Sequence, residues 1–183
     1  MNATVGPAVE PTDDQYVDEL SRLFYSFRLA QLSSRYYSTQ LSRLKWADRV
    51  LQVAVALATA ASFGLLSFAD FSHVKVAAAI LSVIAFILSA VIPGLGLSRK
   101  IEETTTRSYA WHFATQQLES ALRFVKNSQN EDGEVNGWVR CAEEAYHQAA
   151  ALPDTDIEDR KLIAKIEAEI NESFPPDFVW TAF

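Results

Sequence analysis

The side chains that most often perform chemistry are few and scattered in this chain. Its three histidines, His73, His112 and His147, lie far apart, and none has a metal ligand three or four residues further on. The adjacent carboxylates Glu102–Glu103 and Glu143–Glu144 fall in polar helical patterns, where solvated charged faces are the ordinary arrangement. We therefore predict no catalytic residue, no metal site and no cofactor, and a protein that is not an enzyme.

The single cysteine and one glycine-containing segment also give no sign of a metal site or a phosphate-binding site. Cys141 is the only cysteine, which excludes an intrachain disulfide and a cysteine-based metal site. The segment 93–97 reads Pro-Gly-Leu-Gly-Leu, but no Gly-Lys follows it and it closes an apolar stretch, so it does not match a phosphate-binding loop.

Hydroxyl side chains are placed instead inside two long uncharged apolar runs. The runs cover 50–69 and 76–98, and only residues 70–75 separate them. Because a helix rises about 1.5 Å per residue, each run can cross the roughly 30 Å of a bilayer's hydrocarbon core. The pattern predicts two transmembrane helices joined by a short outer loop. The alternative is a soluble protein with two buried helices, which are rarely apolar on every side.

Small residues recur at helical spacing in both runs, and the runs contain no ionisable group. Small faces let helices approach closely in lipid, whereas proton relays and coupled transporters need intramembrane charges. One small face is expected to pack the hairpin together, and a second can join copies into a homo-oligomer that encloses a pore. The candidate residues for pore lining or helix packing are Thr59, Ser62, Ser82, Ser89, Ala58, Ala60 and Gly64.

Charge predicts the orientation and excludes one class of partner. The net charge is −7, and acidic residues concentrate in the C-terminal part, which argues against binding to nucleic acid. Basic residues flank the runs at Arg43, Lys45 and Arg49 on one side and at Arg99 and Lys100 on the other. By the positive-inside rule, both termini are expected in the cytoplasm, with the loop between the runs on the far side of the membrane.

The flanking segments have the pattern of amphipathic helices. Residues 1–11 are expected to be a disordered lead-in, and Thr12–Gln15 has the form of a capping box that starts a cytoplasmic helix over 12–49. A second cytoplasmic helix is expected over 99–128. Both carry apolar residues at alternating spacings of four and three, as in a coiled coil. The two sets are Tyr16, Leu20, Leu23, Phe27, Ala30, Ser34, Tyr37, Leu41 and Leu44, and Leu97, Ile101, Thr104, Ser108, Trp111, Thr115, Leu118, Leu122 and Val125.

These two helices are expected to leave the membrane side by side as a stalk, and a helical segment over 137–183 follows. We predict a loop over 127–137, a short helix from Trp138 to about Ala151, and a capping box at 155–158 before a last helix. Ile157, Leu162, Ile163, Ile166 and Ile170 would form the apolar stripe of that helix. The aromatic segment 178–183 either docks on the bundle or lies at the membrane interface.

The stretch 20–49 resembles the N-terminal part of the SLATT proteins, a family of two-transmembrane effectors of bacterial conflict systems. The residues that carry the resemblance lead directly into the apolar hairpin and its polar helical tail; they are Arg22, Tyr25, Arg28, Ala30, Arg35, Tyr36 and Tyr37. The similarity covers about 13–125. It implies an effector of the bacterial inner membrane, with both termini cytoplasmic, that acts in nucleotide-signalled antiviral defence and forms a pore or perturbs the membrane once it is triggered.

Three functional hypotheses follow. The first is a pore-forming or membrane-perturbing effector in contact with the lipid bilayer. The second is a non-enzymatic membrane scaffold or subunit that anchors a cytoplasmic helical module, which binds a signalling or effector partner protein. The third, a membrane enzyme, is disfavoured because catalytic groups are missing.

Overall fold

The protein was analysed as a computed structural model, which describes residues 13–66, 72–94, 96–127, 132–153 and 159–175. Within these ranges the chain forms five helices and no strand. The helices are α1 (Asp13–Leu66), α2 (Ser72–Gly94), α3 (Leu97–Asn127), α4 (Asp132–Ala150) and α5 (Arg160–Ser173). The prediction of an all-helical chain is therefore confirmed for the described residues.

Helix α1 is long because its sequence contains nothing that would end it. Neither glycine nor proline occurs between Thr12 and Phe63, and the helix continues without a break from Asp13 to Leu66. The lead-in 1–11, Thr12 of the predicted capping box and residues 70–71 of the predicted loop lie outside the described residues.

The predicted transmembrane hairpin, and with it the stalk that would continue it, is wrong as a fold. None of the helices, over the part of the chain that the structure describes, is long and apolar enough to cross a membrane. Helix α1 ends at Leu66, before the first apolar run ends at Ala69, and α2 ends at Gly94, before the second run ends at Ser98. The described helices cover residues 50–66 of the first run and 76–94 of the second, and a membrane-crossing helix needs about 20 apolar residues.

The chain divides into two compact units. Unit 1 comprises Met1–Tyr36 and Arg107–Phe183, and unit 2 comprises Tyr37–Thr106. Helices α1 and α3 each contribute to both units, whereas α2 belongs to unit 2 and α4 and α5 belong to unit 1.

Unit 1 has a continuous apolar core built where the two predicted stripes meet. Leu23 and Phe27 of α1 are each about 1% exposed, and they share one cluster with Leu118 and Leu122 of α3. The expectation that the two stripes face each other is confirmed within this unit. The full cluster also contains Leu20, Phe24, Ala30, Ala121, Val125, Val139 and Ala142.

The C-terminal helices differ from the prediction at their starts. Helix α4 begins at Asp132, so most of the loop expected over 127–137 is helical. The N-cap of α5 is Asp159, whose Oδ1 accepts a hydrogen bond from the Leu162 amide at 3.2 Å. The expected capping box at 155–158 and the tail 178–183 lie outside the described residues. Of the predicted stripe, Leu162, Ile166 and Ile170 are buried and Ile163 is half-buried, whereas Ile157 lies outside the described residues.

Candidate functional site

The most unusual surface of the protein lies on unit 2. Ten large apolar side chains are exposed among its described residues, and Trp46 is the one outside the two apolar runs. We call the other nine the apolar surface: Val50, Val53 and Leu57 on α1, and Val76, Ile80, Val83, Ile84, Phe86 and Ile87 on α2. Phe86 is 73% exposed and Leu57 is 66% exposed. Large exposed apolar patches mark sites of contact with protein, lipid or ligand.

The spacing of these residues shows that the apolar surface is extensive. Val50, Val53 and Leu57 follow one another at three and four residues, so they lie on one side of α1. On α2, the exposed residues include Val83, Ile84, Phe86 and Ile87, which point in several directions around the helix axis. Of the apolar side chains described in unit 2, Ala85 is the one that is buried.

Two of the four hydroxyls predicted to line a pore, those of Thr59 and Ser89, are bonded within their own helices. Thr59 Oγ1 donates to the Val55 carbonyl at 2.8 Å, and Ser89 Oγ donates to the Phe86 carbonyl at 2.9 Å. A hydroxyl bonded in this way can be placed in apolar surroundings at low cost. Thr59 lies on α1 and Ser89 lies on α2.

The other candidate residues have mixed positions. Ala58 is half-buried, whereas Ala60 and Ser82 are exposed. The burial of Ser62 and Gly64 lies outside what the structure describes. The two faces of α1 that carry small residues therefore differ in solvent exposure. The face that contains Ala58 is partly covered by the rest of the chain, whereas Ala60 on the other face is exposed.

Unit 1 contains a set of polar contacts that sequence reasoning did not find. Arg22 forms an ion pair with Glu143 of α4, and Arg28 donates from Nη2 to the side-chain carbonyl of Asn171 on α5. Arg35 lies 3.9 Å from a carboxylate oxygen of Glu169. These arginines are among the residues that carry the family resemblance, and each of them binds a C-terminal helix.

Two further contacts hold the C-terminal part. The Tyr36 hydroxyl accepts a hydrogen bond from the Asp159 backbone amide at 3.2 Å, next to the start of α5. Arg107 of α3 is buried and donates to the Pro153 carbonyl. Sequence periodicity could not predict these polar contacts, because the residues in each pair lie far apart in the chain. It does predict that one side of α4 is buried, since Val139, Ala142, Ala145 and Ala149 form an apolar stripe.

The titratable groups show little sign of chemistry. Burial, and secondarily the charge of Tyr25, raise the pKa of the Tyr146 hydroxyl above its ordinary value of 10.0. Within the described ranges, no group of three or more histidine, cysteine or acidic side chains is arranged to hold a metal ion. A shallow depression on α4 is lined by Asn136, Gly137, Arg140, Cys141 and Glu144, and its cysteine is exposed.

Comparisons with known proteins add no identification. No family model, no curated protein and no solved structure matches this chain. The resemblance to the SLATT proteins therefore stays a prediction.

Proposed function

We propose that the protein is a non-enzymatic effector that acts on the bacterial cell membrane by binding lipid through the apolar surface. The observation that carries this proposal is the exposure of nine large apolar side chains on unit 2. This proposal does not include the predicted pair of transmembrane helices. The resemblance to the SLATT proteins supports the role of an effector in antiviral defence.

The size of the apolar surface supports contact with lipid. Burying a Val, Leu, Ile or Phe side chain is worth about 1.5–3 kcal/mol, so transfer of the surface from water gives on the order of 10 kcal/mol. This gain is of the same size as the entropic cost of association, which is about 4–15 kcal/mol. The local hydrogen bonds of Thr59 and Ser89 are compatible with such surroundings, because they leave no hydroxyl donor unpaired.

We further propose that copies associate through the exposed small face of α1 that contains Ala60. Replacement of Ala60 by Leu would place bulk where two helices approach, at a cost of about 1–3 kcal/mol. The matched variant Ala58→Leu changes the half-buried face, so it should lower the stability of the folded chain more than it weakens self-association. Crosslinking in membranes distinguishes the two, and loss of oligomer with Ala58→Leu but not with Ala60→Leu would contradict the assignment.

Vesicle flotation tests lipid binding directly. The purified full chain is mixed with phosphatidylethanolamine–phosphatidylglycerol vesicles, and the bound fraction is compared for wild type, Leu57→Asn and Phe86→Asn. Each change should weaken binding by about tenfold, because each removes a large exposed apolar side chain from the surface. The matched control is Phe113→Asn, which removes an apolar side chain that is 52% exposed on unit 1.

Leakage of a trapped dye separates the two classes of function. An effector should release the dye from vesicles that it binds, and an inert scaffold should bind without release. Binding with equal affinity by wild type and by both unit 2 variants would refute the role of the apolar surface.

A further inference from the structure

The exposed side of α1 that carries part of the apolar surface changes its chemistry at Val50. Steps of three or four residues lead from Lys45 and Trp46 to Arg49, and a further step of four leads to Val53, so these residues share one side of the helix. Lys45 and Arg49 are exposed, and Trp46 is 69% exposed. One continuous exposed side of α1 is therefore cationic before Val50 and apolar after it.

The cationic part of this side has little acidic compensation. In the unit 2 part of α1 the basic residues are Arg43, Lys45 and Arg49, and Asp48 is the one acidic residue. Asp48 is half-buried and accepts a hydrogen bond from Gln52 Nε2 at 2.7 Å. Among the described residues, no carboxylate forms an ion pair with Lys45 or Arg49. Positive charge is thus presented to the solvent directly beside the apolar surface.

Trp46 lies where the charged and the apolar parts meet. Tryptophan is enriched at membrane–water interfaces, because its ring is apolar while its N–H needs a polar partner. In helices that bind at such interfaces, apolar side chains enter the lipid by about 5–10 Å while lysine and arginine stay among the headgroups. A phospholipid leaflet offers an anionic headgroup layer directly beside apolar chains, in the order in which this side of α1 presents cations, Trp46 and apolar residues.

We propose that the apolar surface binds leaflets rich in anionic phospholipid, with Lys45 and Arg49 against the anionic headgroups and Trp46 at the headgroup boundary. This inference rests on the proposed lipid binding, and it adds the class of lipid and the residues that select it.

Vesicle flotation with two lipid compositions tests the selection. The full chain is mixed with vesicles of phosphatidylcholine alone or of phosphatidylcholine and phosphatidylglycerol in equal amounts. Each lysine or arginine near an anionic surface is worth about fivefold in binding, so the wild type should prefer the anionic vesicles by about tenfold or more. The double variant Lys45→Gln, Arg49→Gln should lose most of this preference and keep its binding to the neutral vesicles.

A matched control and a change of salt separate local charge from net charge. Arg160→Gln with Lys161→Gln removes two exposed cations from α5 in unit 1, which changes the net charge by the same amount. This control should keep the preference of the wild type. Raising the salt from 0.1 M to 1 M shortens the screening length from about 10 Å to about 3 Å and should remove the preference of the wild type without any substitution.

Tryptophan fluorescence tests the position of Trp46. Its emission should shift to shorter wavelength when anionic vesicles are added, and the shift should be largely lost in Trp46→Phe, because the other three tryptophans belong to unit 1.

The outcomes distinguish the two proposals. Binding of the wild type to neither kind of vesicle would overturn both the lipid class and the proposed function. Equal binding to the two kinds, or equal effects of the unit 1 and unit 2 double variants, would overturn the lipid class alone. An equal emission shift in wild type and Trp46→Phe, or no shift in either, would show that Trp46 does not lie at the headgroup boundary.

Discussion

Replacement of Phe27 by alanine should destabilise unit 1 more than any change to an exposed aromatic residue. Phe27 is about 1% exposed and lies in the core with Leu118 and Leu122. Its ring is 6.4 Å from that of Phe24 and contacts Phe174 edge-on at 5.4 Å, which joins α1 to the end of α5. The substitution removes both ring contacts and leaves a cavity between helices.

The expected cost follows from these contacts. Buried Phe→Ala substitutions cost about 3–5 kcal/mol, and this range includes the residual cavity. Small domains have total stabilities of about 5–15 kcal/mol, so the loss is a large fraction of the total. For a unit of this size we expect the Tm to fall on the order of 10–25 °C.

Urea unfolding followed by circular dichroism measures the change. The matched control is Tyr25→Ala, which removes an aromatic ring two residues away that is 64% exposed and should change stability by about 0.5 kcal/mol or less. If Phe27→Ala and Tyr25→Ala unfold within 1 kcal/mol of each other, the assignment of Phe27 to the centre of the core is wrong.

Three further changes test separate contacts. Gly137→Ala should raise stability by about 0.5–1 kcal/mol in urea unfolding, because a Cβ there meets nothing within 4 Å and the glycine lies inside α4; a loss of stability would show a hidden contact. Tyr36→Phe should cost about 0.5–1.5 kcal/mol and speed amide exchange at the start of α5, because the Asp159 amide loses its acceptor; unchanged exchange would contradict that contact. Because the pKa of Tyr146 is raised in the folded state, the neutral phenol favours folding below pH 10.0, and this contribution to stability should be lost as pH rises through the folded pKa. The substitution Tyr146→Phe should therefore reduce the decrease of the urea unfolding midpoint at alkaline pH. If the decrease is unchanged in Tyr146→Phe, groups other than Tyr146 cause it.

The helical character of the chain and the core of unit 1 were predictable because they depend on local periodicity. The four-three spacing placed Leu23, Phe27, Leu118 and Leu122 on stripes, and all four are buried. The absence of glycine and proline likewise predicted the length of α1. Each of these inferences uses residues within a few turns of one helix, where sequence spacing and spatial distance are related.

The membrane hairpin was predicted wrongly and the C-terminal contacts were not predicted at all, and the two failures have different causes. Apolar composition alone defined the runs 50–69 and 76–98, and it gives no information about where a helix ends; α1 ends at Leu66 and α2 at Gly94. The contacts of Arg22, Arg28 and Arg35 join residues more than 120 positions apart. The chemistry of an arginine admits many acceptors, so its type does not identify a partner so distant in the sequence.

The arginine contacts act on the arrangement of helices more than on total stability. In the Arg22–Glu143 pair the arginine side chain is 64% exposed, and in the Arg35–Glu169 pair both side chains are more than one-third exposed. Exposed ion pairs contribute about 0–1 kcal/mol each, far less than the burial of Phe27 or Leu118. The apolar core therefore supplies most of the energy that holds α1 and α3 together, and the arginines determine which α4 and α5 residues lie beside α1.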